Sequence, residues 1–302
     1  MLIGDNTMEA LQTNTRISLS NILVTTDFSK VSKNALPFAA ALARQYEAKI
    51  IMAHALSPEP HLSVPVDPLP KDADPAFLDA QGKLAEFALG NSLGVRPAEM
   101  LLERGEVWDV ISDIIQKNKI DLVVTGTHGR QGLKKLVLGS EAEKIYRKAT
   151  CPVLTVGPRV TPANDTNWKL ETILFPTDGS ETSLKALPYA LSLAEENQAN
   201  LIFLRLLPMA PTQYRESDEA SAREAMRLMV PLDAEDWCKP EFVARFEFPA
   251  EGILAFAKER NVKLIVMGVR KSGDSAAPER LPWPIASQVV AQAQCPVLTV
   301  RG

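Results

Sequence analysis

Cysteine, histidine and aromatic residues are all scarce in this chain of 302 residues. Its three cysteines, Cys151, Cys238 and Cys295, are too few for the disulfide framework of a small secreted domain. A reducing, cytoplasmic setting is the expectation, with each thiol a small buried hydrophobe. The three histidines, His54, His61 and His128, are scattered without the cysteine or carboxylate spacing of a zinc centre. Positive charge is not in excess: 33 lysines and arginines face 37 aspartates and glutamates, giving a formal net charge of −4. That balance argues against a nucleic-acid partner. No window approaches the roughly 20 apolar residues of a membrane-spanning helix. Residues 1–10 lack the basic start and apolar core of a secretory signal. No membrane partner is expected.

What the chain does have is a repeat. Apolar residues at 46% and charged residues at 23% are ordinary for a soluble globular protein. At roughly 100–200 residues per domain, the length suggests two domains. Residues 21–56 read NILVTTDFSKVSKNALPFAAALARQYEAKIIMAHAL, and residues 172–207 read TILFPTDGSETSLKALPYALSLAEENQANLIFLRLL. The two align without a gap, Asp27 on Asp178, Ser29 on Ser180, and Ala35-Leu36-Pro37 on Ala186-Leu187-Pro188. Both copies end in CPVLTV, at 151–156 and 295–300. The division expected is a tail at 1–18, a first domain at 19–158, a polar, Pro-containing linker at 159–169 and a second domain at 170–302.

Each copy follows one pattern. An apolar strand (22–25; 173–175) leads through Asp-x-Ser into a helix with apolar residues at helical spacing, such as Leu36, Ala39, Ala40 and Ala43. A second strand (49–55; 200–206) precedes a long variable segment, Pro-rich and loop-like in the first copy. There follow a helix over 75–91 in the first copy, a third strand (99–102; 242–246), a helix (107–118; 250–260) and a fourth strand (122–125; 264–267). A last helix and a final strand (153–156; 297–300) close the copy. Pro37 and Pro188 fall early in the first helix, either within its first turn or at a kink. Strands alternating with helices, and runs such as DLVV and LIVM, imply a mostly parallel sheet covered on both faces. The fold class is therefore α/β: two tandem doubly wound five-stranded domains of flavodoxin- or Rossmann-like strand order. In such sheets a ligand sits at the carboxyl strand ends where the strand order reverses.

Two loops leave carboxyl strand ends in the first copy. One is Thr25-Thr26-Asp27-Phe28-Ser29. The other is Gly126-Thr127-His128-Gly129-Arg130-Gln131-Gly132, which continues to Gly139-Ser140 as Gly-x2-Gly-x9-Gly-Ser. Glycines admit positive φ and close backbone approach, and successive N–H groups form anion-binding concavities. Ser140 at a helix start adds a hydroxyl and free N–H groups. From spacing alone, tight turns, an N-capping Ser140 and an Asp27 that caps the first helix account for these residues equally well. A Ser140, His128 and Asp27 hydrolytic set can be written down, but Ser140 is fully explained without it.

These motifs together resemble the universal stress protein family across nearly the whole chain from about residue 20: the strand followed by Asp-x-Ser, the glycine string and the CPVL ends. The resemblance implies an adenine-nucleotide-hydrolase-like fold and ATP, or another adenine nucleotide, as ligand, with Mg²⁺ as its optional companion. It implies that Gly126, Gly129, Gly139 and Ser140 hold phosphates, with Thr127, His128 and Arg130 in the same loop. Asp27 would face the adenosine, Thr25 would lie beside the base, and Ala55 would offer its backbone to the adenine. Glu141 departs from the family's small or apolar residue. A carboxylate there suits the helix dipole but sits near a triphosphate and favours fewer phosphates. In the second copy Gly268 aligns with Gly126, but Val269, Arg270 and Lys271 follow it. Trp283-Pro284 stands where Gly139-Ser140 would fall. Proline offers no N–H, so that site is read as lost, with Asp178 a turn residue; a different ligand held by Arg270, Lys271 and Arg280 stays open. The function implied is stress response with a regulatory nucleotide in the first domain and the second domain as pseudo-dimer partner. The alternatives are a nucleotide-independent scaffold and a weak ATPase, with no catalytic residue assigned. The two CPVLTV strands are expected to lie beside each other across a pseudo-two-fold axis, covering an exposed edge, and the implied partners include a second copy of the chain and unidentified proteins.

Overall fold

In a computed structural model of the chain, the residues described are 16–57, 70–89, 98–127, 139–161, 168–209, 211–231, 234, 238–270 and 285–302. The first repeat contributes strands β1 (Asn21–Thr25), β2 (Lys49–Leu56), β3 (Glu99–Arg104), β4 (Leu122–Gly126) and β5 (Val153–Val156). Its helices are α1 (Lys30–Gln45), α2 (Pro75–Leu89), α3 (Val107–Lys117) and α4 (Ser140–Lys148). The second contributes β6 (Thr172–Pro176), β7 (Asn200–Leu207), β8 (Lys239–Phe246), β9 (Leu264–Val269) and β10 (Val297–Arg301). Its helices are α5 (Glu181–Leu184), α6 (Leu187–Asn197), α7 (Thr212–Arg227), α8 (Pro249–Glu259) and α9 (Ile285–Gln292). By contact the described chain divides into two units: Ser18–Trp168 with residues 269–270 and 285–301, and Lys169–Gly268 with Arg16, Ile17 and Gly302. The last helix and strand of the second repeat therefore pack with the first.

In the first unit the strand order is β3-β2-β1-β4-β5-β10. The five strands of the first repeat run parallel, in the Rossmann-like order of the two expected. Ile22, Leu23 and Val24 are fully buried, as a central strand covered on both faces requires. Helix α1 lays a stripe of small residues, Ala35, Ala39, Ala40 and Ala43, toward the core. Ser29 starts it, its hydroxyl accepting from Ser32 N at 3.2 Å. Pro37 lies inside α1, which continues through it. In the second unit the equivalent helix breaks after Leu184 and resumes at Leu187, with Pro188 in its first turn, where the missing N–H costs no bond.

β10 pairs antiparallel with β5, Leu154 opposite Leu298, Val153 opposite Thr299 and Thr155 opposite Val297. The repeat-equivalent leucines face each other, so the pair is locally symmetric, and the open edge of β5 is covered. Polar contacts fix the arrangement. Ser287 Oγ donates to Glu143 Oε1 at 3.1 Å, which leaves it to accept from Tyr146 Oη at 2.6 Å. Arg301 Nη1 donates to the Lys148 carbonyl at 2.6 Å. In the second unit β9-β6-β7-β8 are parallel neighbours. Helix α7, largely exposed, occupies part of the second copy's variable segment, for which no helix was expected. Among the described residues no helix is long and apolar enough to cross a membrane.

Candidate functional site

β1 is the strand from which the order runs outward to β2 on one side and β4 on the other. The loops leaving β1 and β4 therefore diverge and open a cleft between them. At its floor Thr25 Oγ1 donates to Thr125 Oγ1 at 2.8 Å, both buried, tying the two carboxyl strand ends. Thr25, Asp27, Ala55, Gly126, Thr127, Gly139, Ser140 and Glu141 all line this one cleft. They are every sequence-singled residue of the site among those described; His128, Gly129 and Arg130 lie outside the described residues. The described walls enclose about 210 Å³. That is below the roughly 300–1,000 Å³ of clefts for drug-sized ligands, so they accommodate part of a nucleotide. Ala53, Ala55, Val107, Ile111 and Ile145 make part of the lining apolar, suited to a flat ring. Thr25, Thr26, Thr125 and Ser32 supply hydroxyls to the rest.

The turn after β1 is built by its own side chains. Asp27 Oδ1 accepts from Ser29 N at 3.0 Å and Thr26 Oγ1 from Phe28 N at 2.9 Å. The second copy repeats this bond for bond: Asp178 Oδ1 accepts from Ser180 N at 3.0 Å and Thr177 Oγ1 from Gly179 N at 3.1 Å. Asp27 thus shares the turn-forming role that the sequence assigned to Asp178, besides lining the cleft. Partial burial raises the pKa of Asp178, but hydrogen bonds from the Ser180 hydroxyl and backbone and from the Ser183 hydroxyl hold it below the usual value.

Gly126 does not have positive φ. A Cβ there would stand 2.9 Å from Ser32 N and 3.0 Å from Val31 C, so the glycine lets β4 pass against the start of α1. Gly268 has the same role: its Cβ would lie 2.7 Å from Ser183 Cα. This explains why Gly268 is present although the rest of its motif is not. Gly139 has an ordinary extended backbone, φ −63 and ψ 133, and is itself the residue before α4. Its N–H donates to the Thr127 carbonyl at 2.7 Å. Ser140 is the first helical residue, exposed, and no side chain caps α4.

Sequence reasoning missed Phe28 and His54. Phe28 takes φ 64 where the second copy has Gly179 at φ 73, a strained conformation for a bulky residue. Its ring lies 4.3 Å from that of His54 and 6.2 Å from that of Phe87. His54 is buried in the cleft wall and its Nδ1–H donates to the Thr26 carbonyl at 2.7 Å. The signal was the repeat: Phe28 and His54 align with Gly179 and Arg205, a paired difference. In the second copy Arg205 Nη1 lies 3.3 Å from where a Cβ on Gly179 would be, so that cleft wall is differently built. Lys271, Arg280, Trp283 and Pro284 lie outside the described residues. Among the described residues no group of three or more His, Cys, Asp or Glu side chains could hold a metal ion.

The family model for the universal stress protein family matches this chain twice, at residues 19–157 and 169–301. A universal stress protein of Methanocaldococcus jannaschii is 32% identical over 142 residues, 45% of this chain and 80% of that protein. One of Thermus aquaticus is 32% identical over 135 residues, 45% of this chain and 96% of that protein. In structure, a universal stress protein from Archaeoglobus fulgidus superposes with a TM-score of 0.68 at 19% identity, covering 93% of this chain and 98% of the other.

Proposed function

The chain belongs to the universal stress protein family, and on that premise we propose that its first copy binds an adenine nucleotide as a regulatory ligand in stress response. The observation that carries the reading is the convergence of Thr25, Asp27, Ala55, Gly126, Thr127, Gly139, Ser140 and Glu141 on one cleft at the strand-order reversal. The apolar wall of Ala53, Ala55, Val107, Ile111 and Ile145 takes the base. Asp27, half-buried, accepts from an adenine amino group or a ribose hydroxyl. The first turn of α4 closes the far end. The division of labour follows: the first domain (19–158) carries the ligand, and the second (170–302), joined by the linker at 159–169, supplies α9 and β10 to complete the first unit's sheet. Mg²⁺ would be an optional companion of a phosphorylated ligand, and the protein works in the cytoplasm with protein partners that read its liganded state.

The reading gives the nucleotide no chemical fate. Ser140 is exposed at the start of α4, and the reading gives it a positional role. Calorimetric titration of the chain with adenosine, AMP and ATP, each with and without Mg²⁺, tests the reading. One ligand per chain is expected, with binding abolished by Ala55→Trp, which fills the mouth of the cleft. Absence of binding for every adenine compound, from protein free of co-purified nucleotide, leaves the nucleotide-independent scaffold in its place.

A further inference from the structure

The described lining of the cleft bears carboxylates but no cation. Asp27 and Glu141 both line it, and none of its described lining residues is lysine or arginine. Glu141 stands in the first turn of α4, together with Glu143. The two carboxylates meet the positive end of the helix that would otherwise draw an anion; α1, which also points its start at the cleft loops, has no acidic residue in its first turn. The two oxygens of Glu141 are differently placed. Oε1 accepts from Lys144 Nζ at 2.7 Å. Oε2 is buried and has no hydrogen-bond partner among the described residues. A buried carboxylate oxygen without a donor is costly, and it attracts a donor while repelling a second anion. The Gly139 N–H, which a phosphate would need, is already given to the Thr127 carbonyl at 2.7 Å.

We propose that Glu141 is a specificity-determining residue: it excludes a charged phosphate from the start of α4 and turns that end of the cleft toward a hydrogen-bond donor, such as a ribose hydroxyl. The ligand class is then a nucleoside or a nucleotide with few phosphates. The Lys144 ammonium bonded to Oε1 offsets part of the carboxylate's charge, a bond that also raises the lysine's own pKa, while Oε2 keeps no donor among the described residues. This inference rests on the adenine-nucleotide reading of the same cleft.

The test compares Kd for adenosine, AMP and ATP, without divalent cation, in the wild-type chain, in Glu141→Gln and in Glu143→Gln. Gln keeps an acceptor oxygen and removes the charge. Glu143 lies one turn position away, directed to Ser287 and Arg147, and reports any general effect of removing charge from this helix. The wild type is expected to bind ATP no more tightly than AMP. Glu141→Gln is expected to raise the ATP-to-adenosine affinity ratio by about tenfold or more, equivalent to about 1.4 kcal/mol, and Glu143→Gln by clearly less. An unchanged ratio in Glu141→Gln, or an equal rise in both variants, overturns the proposal while leaving nucleotide binding intact. Failure of all three compounds to bind any of the proteins overturns the nucleotide reading and this inference with it.

Discussion

At the scale of single residues, the repeat acts as an internal control. Thr155 and Thr299 are equivalent and both buried, yet Thr299 Oγ1 donates to the Val153 carbonyl at 3.2 Å, whereas Thr155 Oγ1 has no partner among the described residues. Valine matches threonine in shape and removes the hydroxyl. Thr155→Val is therefore expected to stabilise the fold by about 1 kcal/mol and Thr299→Val to destabilise it by about the same, read from urea unfolding midpoints. The two motif glycines give a second comparison. Gly126→Ala is expected to cost about 1–3 kcal/mol through overpacking against α1, and Gly268→Ala more, its Cβ meeting the backbone at Thr182 and Ser183. If both were tolerated, the packing account of these glycines would be wrong. Their role was not legible in the sequence, because a glycine needed for close approach and one needed for positive φ look alike in a string of letters. Phe28 was equally hidden: nothing local in TDFS marks the second position after Thr26 as left-handed until Gly179 is set beside it.

At the scale of elements, helix α4 carries two duties. Its first turn lines the cleft, and its second half holds α9 and β10 through Tyr146, Glu143 and the Lys148 carbonyl. Burial pushes the Tyr146 hydroxyl up to about 12, and the nearby Glu143 carboxylate works in the same direction. The folded value lies above the unfolded one of about 10. The stabilising contribution of the neutral phenol is therefore complete below pH 10 and is lost as the pH rises from 10 toward 12. Tyr146→Phe is expected to cost about 1 kcal/mol at neutral pH and to flatten the alkaline limb of the stability curve over that window. An alkaline limb as steep as that of the wild type would assign the loss to other groups, such as Cys151, whose thiol burial also pushes up to about 12. The elements themselves were largely readable. Period-two and continuous apolar runs located β1, β2 and β4 to within a residue or two, since central parallel strands allow nothing else. Helix α7 was not readable, because only Met226 of its residues is buried and an exposed helix carries no apolar stripe. The different fates of Pro37 and Pro188 depend on packing that identical ALP triplets do not encode.

At the scale of the whole molecule, the two copies keep one framework and differ within it. Both retain the self-built turn after their first strand and the glycine at the fourth strand's end, features that folding requires. The copies part at the cleft walls, where Phe28 and His54 stand against Gly179 and Arg205. The repeat could be read directly from the sequence, and the pairing of the CPVLTV strands followed from the family resemblance. The convergence of Thr25, Ala55 and Glu141 could not, since it depends on the ends of β1 and β2 and the start of α4 meeting at the order reversal. The central claim is a single adenine site in the first copy, and photo-crosslinking with 8-azidoadenosine followed by peptide mapping tests it most directly. Label confined to peptides carrying residues 25–32, 53–55 or 139–145, and competed away by adenosine, is the predicted result. Label on residues 177–183 or 204–207 of the second copy, or label that adenosine does not displace, would contradict the account.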